Sequence, residues 1–153
     1  MSHMNQGEEP ERERERVEGP APLQESFVRE TAAVYRVKQV RDGLLFWTFD
    51  VLREQLGVTE ERLAELLAIS RATLHRRKKI GQLERAESDR LARFQRLYFH
   101  AEATFGGAEE ARSWLGPPAL AVHGETPLDY ADTEIGAQAV EQLLGRIEHG
   151  IFS

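Results

Sequence analysis

Residues 57–79 read GVTEERLAELLAISRATLHRRKK, and no other stretch constrains the fold as tightly. Thr59 stands where a helix N-cap belongs. Glu60 and Glu61 follow it, and carboxylates there suit the positive end of a helix dipole. Leu63, Leu66 and Leu67 recur on one face, with the small Ala64 where a second helix must approach closely. A short turn at Ala68 and Ile69 leads to a second helix, capped by Ser70 and anchored inward by Leu74. Two short capped helices joined by a tight turn make a helix-turn-helix, and neither can bury its apolar face without further helices. Ala68 occupies a turn position where such motifs usually carry glycine. Arg77 falls where an apolar residue usually packs inward, and Ile80 is the alternative for that role.

The rest of the chain keeps the helical period. Phe27, Val28, Thr31, Val34 and either Val37 or Tyr35 recur at three and four residues, until Asp42-Gly43 breaks the pattern. Leu44, Trp47, Val51, Leu52 and Leu56 make the next stripe, with Gly57 as its C-terminal cap. Phe46, Trp47 and Phe49 place apolar surface on more than one face of that segment. They read as core, with part core and part subunit contact as the alternative. Ser88 is positioned to cap a long helix to about Phe105, with Leu91, Phe94, Leu97, Tyr98 and Ala101 on one stripe and Gly106-Gly107 as its stop. Ala108–Leu115 is a short helix that Pro117 and Pro118 forbid from continuing. Thr126-Pro127 opens another, with Leu128 and Tyr130 inward. Thr133 caps the last helix, whose stripe is Ile135, Ala139, Val140, Leu143, Leu144 and Ile147. The one segment that could form a strand is VYRVKQV, 34–40.

The expected fold class is therefore all-α. A disordered arm (1–24), rich in alternating Glu and Arg, precedes a helix-turn-helix domain (25–100), and a small helical domain (101–153) completes the chain. No period of 20–50 residues repeats, which excludes a solenoid.

Charge is unevenly spread. The whole chain carries −6, yet residues 59–100 sum to +4 and residues 101–153 to −7. Within SRATLHRRKK, 70–79, five of ten residues are Lys or Arg. A basic run on the second helix of a helix-turn-helix suits insertion in a DNA major groove. The candidate DNA-contacting residues are Ser70, Arg71, Thr73, His75, Arg76, Arg77, Lys78 and Lys79. Arg71 or Arg76 is suited to fork onto guanine, worth about 1–3 kcal/mol of discrimination. Arg77 and Lys78 are expected on phosphates, each adding about 0.9 to the salt slope of binding. A two-fold operator would require a homodimer, with half-sites about 34 Å apart.

Catalytic chemistry finds no footing. The chain has no cysteine, which excludes disulfides and thiolate sites. No His pair has metal-ligand spacing, no phosphate-binding glycine motif follows a strand, and no serine sits in a nucleophile elbow. No catalytic residue, metal or cofactor is expected. No secretory h-region or membrane-length apolar run occurs, so cytoplasmic residence is the expectation.

The stretches ATLHRRKKIGQL, ESDRLAR, FGGAEEARSWL and GETPLDYADTEIGAQAVEQLLGRIEHGIFS follow one another in order. In this order and spacing the chain resembles, over roughly residues 35–153, the Xre/ParS-type antitoxins of bacterial RES–Xre toxin–antitoxin pairs. LGPPALAVHG departs from the run usual in that loop. The resemblance implies a protein that silences a RES-domain toxin acting on NAD, either degrading it or transferring ADP-ribose. It also implies repression of its own promoter. The last helix and tail would lie against the toxin near its NAD cleft. The residues so implied are Glu141, Leu144, Arg146, Ile147, Glu148, His149, Ile151, Phe152 and Ser153. A stand-alone helix-turn-helix regulator, with a C-terminal dimerisation or ligand domain and its tail tucked onto itself, is the alternative reading.

Overall fold

The computed structural model describes the backbone of residues 25–150 and the side chains of residues 34–150; the arm 1–24 and the tail Ile151-Phe152-Ser153 lie outside the described residues. The described fold is all-α: α1 Glu25–Asp42, α2 Trp47–Leu56, α3 Glu60–Leu66, α4 Arg71–Ile80, α5 Arg85–Phe105, α6 Ala108–Leu115, α7 Pro127–Tyr130 and α8 Glu134–Glu148. A single 3-10 turn, Leu120–Val122, interrupts the loop between α6 and α7. Segment 34–40, the candidate strand, lies inside α1.

α5 is the central post. It packs against α1, α2, α6 and α8, and its Leu91, Phe94, Leu97 and Ala101 are wholly buried. Each such leucine or phenylalanine contributes about 1.5–3 kcal/mol by leaving water. The same helix crosses position 100, so both expected domains share it. Its start differs from the expected one. Glu84 is the N-cap, in a capping box with Glu87. Ser88, expected at the cap, is fully buried one turn inside α5, where its hydroxyl accepts the Leu44 N–H at 2.8 Å.

The phase of the α2 stripe also differs, and the α8 stripe departs from its expected residues at Ile135 alone. On α2 the buried residues are Phe49, Leu52 and Leu56, with Phe46 just before it. Trp47, expected in the core, is 61% exposed. On α8 Val140 and Leu144 are buried beside Gly136 and Ala137, whereas Ile135 faces solvent. Gly136 marks the tight start of α8: a Cβ there would collide with the Tyr130 carbonyl oxygen. Only glycine lets α8 start so close to α7. Gly43 does the same for the α1–α2 corner, with positive φ and the Leu83 carbonyl against its missing Cβ. That corner is tied to the α4–α5 joint by Phe46 N–H to the Gly81 carbonyl, 2.9 Å, and Leu83 N–H to the Leu44 carbonyl, 2.8 Å.

Candidate nucleic-acid interface and partner-binding end

The helix-turn-helix assembles as its residues dictate. The Thr59 hydroxyl accepts the Arg62 N–H at 3.1 Å and caps α3. Leu63, Ala64, Leu66, Leu67 and Ile69 are buried. Ala68 makes the turn with φ of 54°, a left-handed conformation that costs an L-residue roughly 1–2 kcal/mol and that glycine would adopt freely. Ser70 caps α4 by accepting the Thr73 N–H at 3.2 Å. Leu74 is the only buried residue of α4, so this helix is held by one anchor, its caps and its charges.

Those charges divide into two sets. Arg77 does not reach outward. Its guanidinium donates to both Glu87 oxygens, 2.8 and 3.1 Å, and lies 2.9 Å from Glu84. Both side chains of the Arg77–Glu87 pair are nearly buried. This corrects the expectation of Arg77 on a phosphate: it fills the inward position itself, by pairing, and Ile80 is left exposed. Burial opposes ionisation of Glu87 most strongly, yet the hydrogen bonds from Arg77 and from the Glu84 N–H hold its carboxyl below the usual range. Arg77 is pushed up in turn, first by its hydrogen bond to Glu87. Lys78 pairs with Glu60 across to α3. Arg71, His75, Arg76 and Lys79 are exposed and have no carboxylate partner among the described residues. Arg76 donates to the Thr73 hydroxyl at 3.1 Å, and Ser70 donates to the same oxygen at 2.9 Å. Arg71, His75, Arg76 and Lys79 form a solvent-facing basic ridge along α4, with Arg76 held by the Thr73 hydroxyl.

The C-terminal end is built by α6, α7 and α8 on the second half of α5. Phe105 and Trp114 pack with tilted rings, 5.6 Å between ring centres. Thr126 caps α7 through the Asp129 N–H at 2.9 Å, and Thr133 caps α8 through the Gly136 N–H at 3.1 Å. Arg96 fastens α8 to α5 by bonds to Glu141, 2.5 Å, and Glu134, 2.8 Å. Arg93 adds a bond to Glu134 at 3.1 Å. Burial works against the Glu134 charge, but Arg96 and Arg93 hold its carboxyl below the ordinary range. Arg62 of α3 reaches Asp129 of α7 at 2.7 Å, a direct tie between the helix-turn-helix and this end.

Measured against the residues expected here, α8 sorts them. Leu144 is wholly buried and belongs to the core, which corrects its placement on a partner-facing surface. Glu141 is half-buried and already paired with Arg96. Ile147 is half-buried, and Arg146, Glu148 and His149 are exposed. Glu148 stands 3.7 Å from His100. Leu120, on the 3-10 turn, is 96% exposed. Its loop is closed by the Ala119 N–H to the Glu125 carbonyl, 2.9 Å, and the Gly124 N–H to the Ala119 carbonyl, 3.0 Å. Among the described residues no group of three or more His, Asp or Glu side chains is placed to hold a metal, and no helix is long and apolar enough to cross a membrane.

An all-α helix-turn-helix protein with a second helical unit packed on a shared central helix is the class this geometry defines. Comparison with known proteins narrows it. Residues 36–96 match the antitoxin Xre-like helix-turn-helix domain, and residues 100–150 match the antitoxin Xre/MbcA/ParS C-terminal toxin-binding domain. The chain belongs to the Xre-type antitoxin family. It is similar to a protein named antitoxin Xre in Yersinia enterocolitica, 39% identical over 85 residues, 55% of this chain and 57% of that one. Proteins of the same name in Photorhabdus laumondii and Pseudomonas putida are 43% identical over 74 residues and 41% identical over 64. Those matches cover 48% and 42% of this chain. The chain spans about half the length of these relatives, from 40% to 57%.

Proposed function

We propose that this chain is the antitoxin of a toxin–antitoxin pair, capturing a RES-domain toxin with its C-terminal end and repressing its own operon through α4 as a homodimer. The observation that supports this reading is the joining, on one shared helix, of an Xre-like helix-turn-helix and a toxin-binding domain. In this reading Arg71, His75, Arg76 and Lys79 face the major groove. The N-terminal residues of α4 meet base edges, and Lys79 and the positive ridge meet phosphates. Ser70 and Thr73 hold the geometry, Ser70 as cap and Thr73 as acceptor for Arg76.

At the other end, Arg146, Ile147, Glu148 and His149, continuing into Ile151-Phe152-Ser153, are the partner-facing set. Occlusion of the toxin's NAD cleft requires no chemistry from the antitoxin. Carboxylates such as Glu148 offer charge-assisted bonds to cationic groups that would otherwise hold cofactor phosphates. Co-expression with the neighbouring open reading frame tests the whole. The expected result is co-purification of the two chains and rescue of growth. A partner that neither copurifies nor loses its toxicity overturns the proposal.

A further inference from the structure

A second cluster of open cations lies outside α4. Where α1 ends and α5 begins, Arg36, Arg41, Arg85 and Asp89 stand around an open hollow of about 590 Å³. All three arginines are exposed, and none has a carboxylate partner among the described residues. The other carboxylates of this corner are engaged. Asp42 takes Lys38 at 2.9 Å, and Glu84 and Glu87 take Arg77 at 2.9 and 2.8 Å. Three guanidiniums thus share the hollow with one carboxylate, in a chain whose net charge is −6.

The hollow adjoins the exit of the helix proposed to read DNA. α4 ends at Ile80, and Arg85 opens α5 after a joint of four residues, Gly81–Glu84. The Gln82 side-chain amide donates to the Asp42 and Gly43 carbonyls, 2.9 Å each. The residue next to Arg41 is therefore locked to the exit of α4. Exposed Lys79 stands three residues before Gln82, and Arg85 three residues after it.

Resting on the reading that α4 enters a major groove, we propose that this hollow is a second nucleic-acid contact, in which Arg41 and Arg85 hold a backbone phosphate beyond the bases that α4 reads. Two observations select a phosphodiester as the occupant. First, the cations of the hollow continue those of α4 across the Gln82 lock. A duplex offers an unbroken row of phosphates to such a row of cations, and a guanidinium fork matches phosphate oxygens. Second, no aromatic side chain lines the hollow, so a base has nothing to stack on there. A contact of this kind carries no sequence information; it adds affinity and fixes register.

The test measures binding of the full chain to two duplexes of equal length over a series of salt concentrations. One is taken from immediately upstream of its own reading frame, and the other has a shuffled sequence. Arg41→Gln and Arg85→Gln should each make the salt slope less steep by about 0.9 on both duplexes, and the double variant by about twice that. Arg85→Lys keeps the charge and should restore the wild-type slope. Both side chains are exposed, so circular dichroism, mass in solution and toxin capture should match wild type. Variants that keep the wild-type slope overturn the proposal. A loss confined to the upstream duplex marks base reading and overturns it too. A change of mass assigns the hollow to a second copy, and a loss of toxin capture assigns it to the toxin; either is equally fatal. Wild type that binds neither duplex overturns the reading of α4, and this inference with it. Wild-type binding with unchanged variant slopes overturns the inference alone.

Discussion

On α4, five of ten residues are Lys or Arg, and two of these, Arg77 and Lys78, are engaged by carboxylates of α5 and α3. On α8, Glu134 and Glu141 are engaged by arginines of α5, while Arg146, Glu148 and His149 at its far end are exposed. The two ends carry opposite net charge, yet both follow one rule. Charges that face a neighbouring helix pair with it and fasten the fold. A segment's net charge is thus a poor guide to its interface; the partner of each side chain is a better one.

The sharpest way to break that comparison is to treat a fastening charge as an interface charge. Arg77→Ala leaves the nearly buried Glu87 carboxylate unpaired and is expected to cost about 3–5 kcal/mol in a urea melt. The double variant Arg77→Leu/Glu87→Leu is expected to recover most of that loss, because two apolar side chains replace a desolvated pair. If Arg77→Ala melts like wild type, the pair does not hold α4.

Acid probes the same pair and its counterpart on α8. Glu87 and Glu134 are both held below the ordinary carboxyl value of 4.5. Their contribution is present in full above that value and is lost as pH falls through the lowered folded values. Wild-type stability should drop there, and Glu87→Gln should flatten the acid limb of the stability curve. An unchanged limb contradicts the assignment.

Smaller effects sharpen the picture. Thr133→Ala removes the α8 cap and is expected to cost about 1 kcal/mol in thermal melts, loosening the C-terminal end without touching α4. Lys78→Ala breaks a half-exposed pair with Glu60 and is expected to cost only about 0.2–1 kcal/mol. A loss as large as that of Arg77→Ala would erase the distinction between buried and exposed fastening.

Much of this architecture is legible in the residues. The caps at Thr59, Ser70, Thr126 and Thr133, the glycine stops at Gly57 and Gly106, and the α5 stripe act locally or at helical spacing, so the order of letters is enough. The inward turn of Arg77 was not legible, because it depends on Glu87 ten positions away on another helix. Nor was the close start of α8, where Gly136 passes under the Tyr130 carbonyl and Ile135 is turned to solvent. Trp47 misled for a related reason: Phe46, Trp47 and Phe49 put apolar side chains on more than one face of this segment, and only the packing of α5 decides which face is covered. Of the candidate sites, the exposed basic ridge of α4 could be named in advance, but which of its cations are free could not.

The most direct test is Arg76→Ala in the full chain, measured side by side for operator affinity and for toxin capture. Arg76 is exposed and has no carboxylate partner among the described residues. Operator binding should weaken by about 1–3 kcal/mol, with melting temperature and toxin capture unchanged. Operator affinity equal to wild type, or a parallel loss of both bindings, would contradict the separation of the two ends.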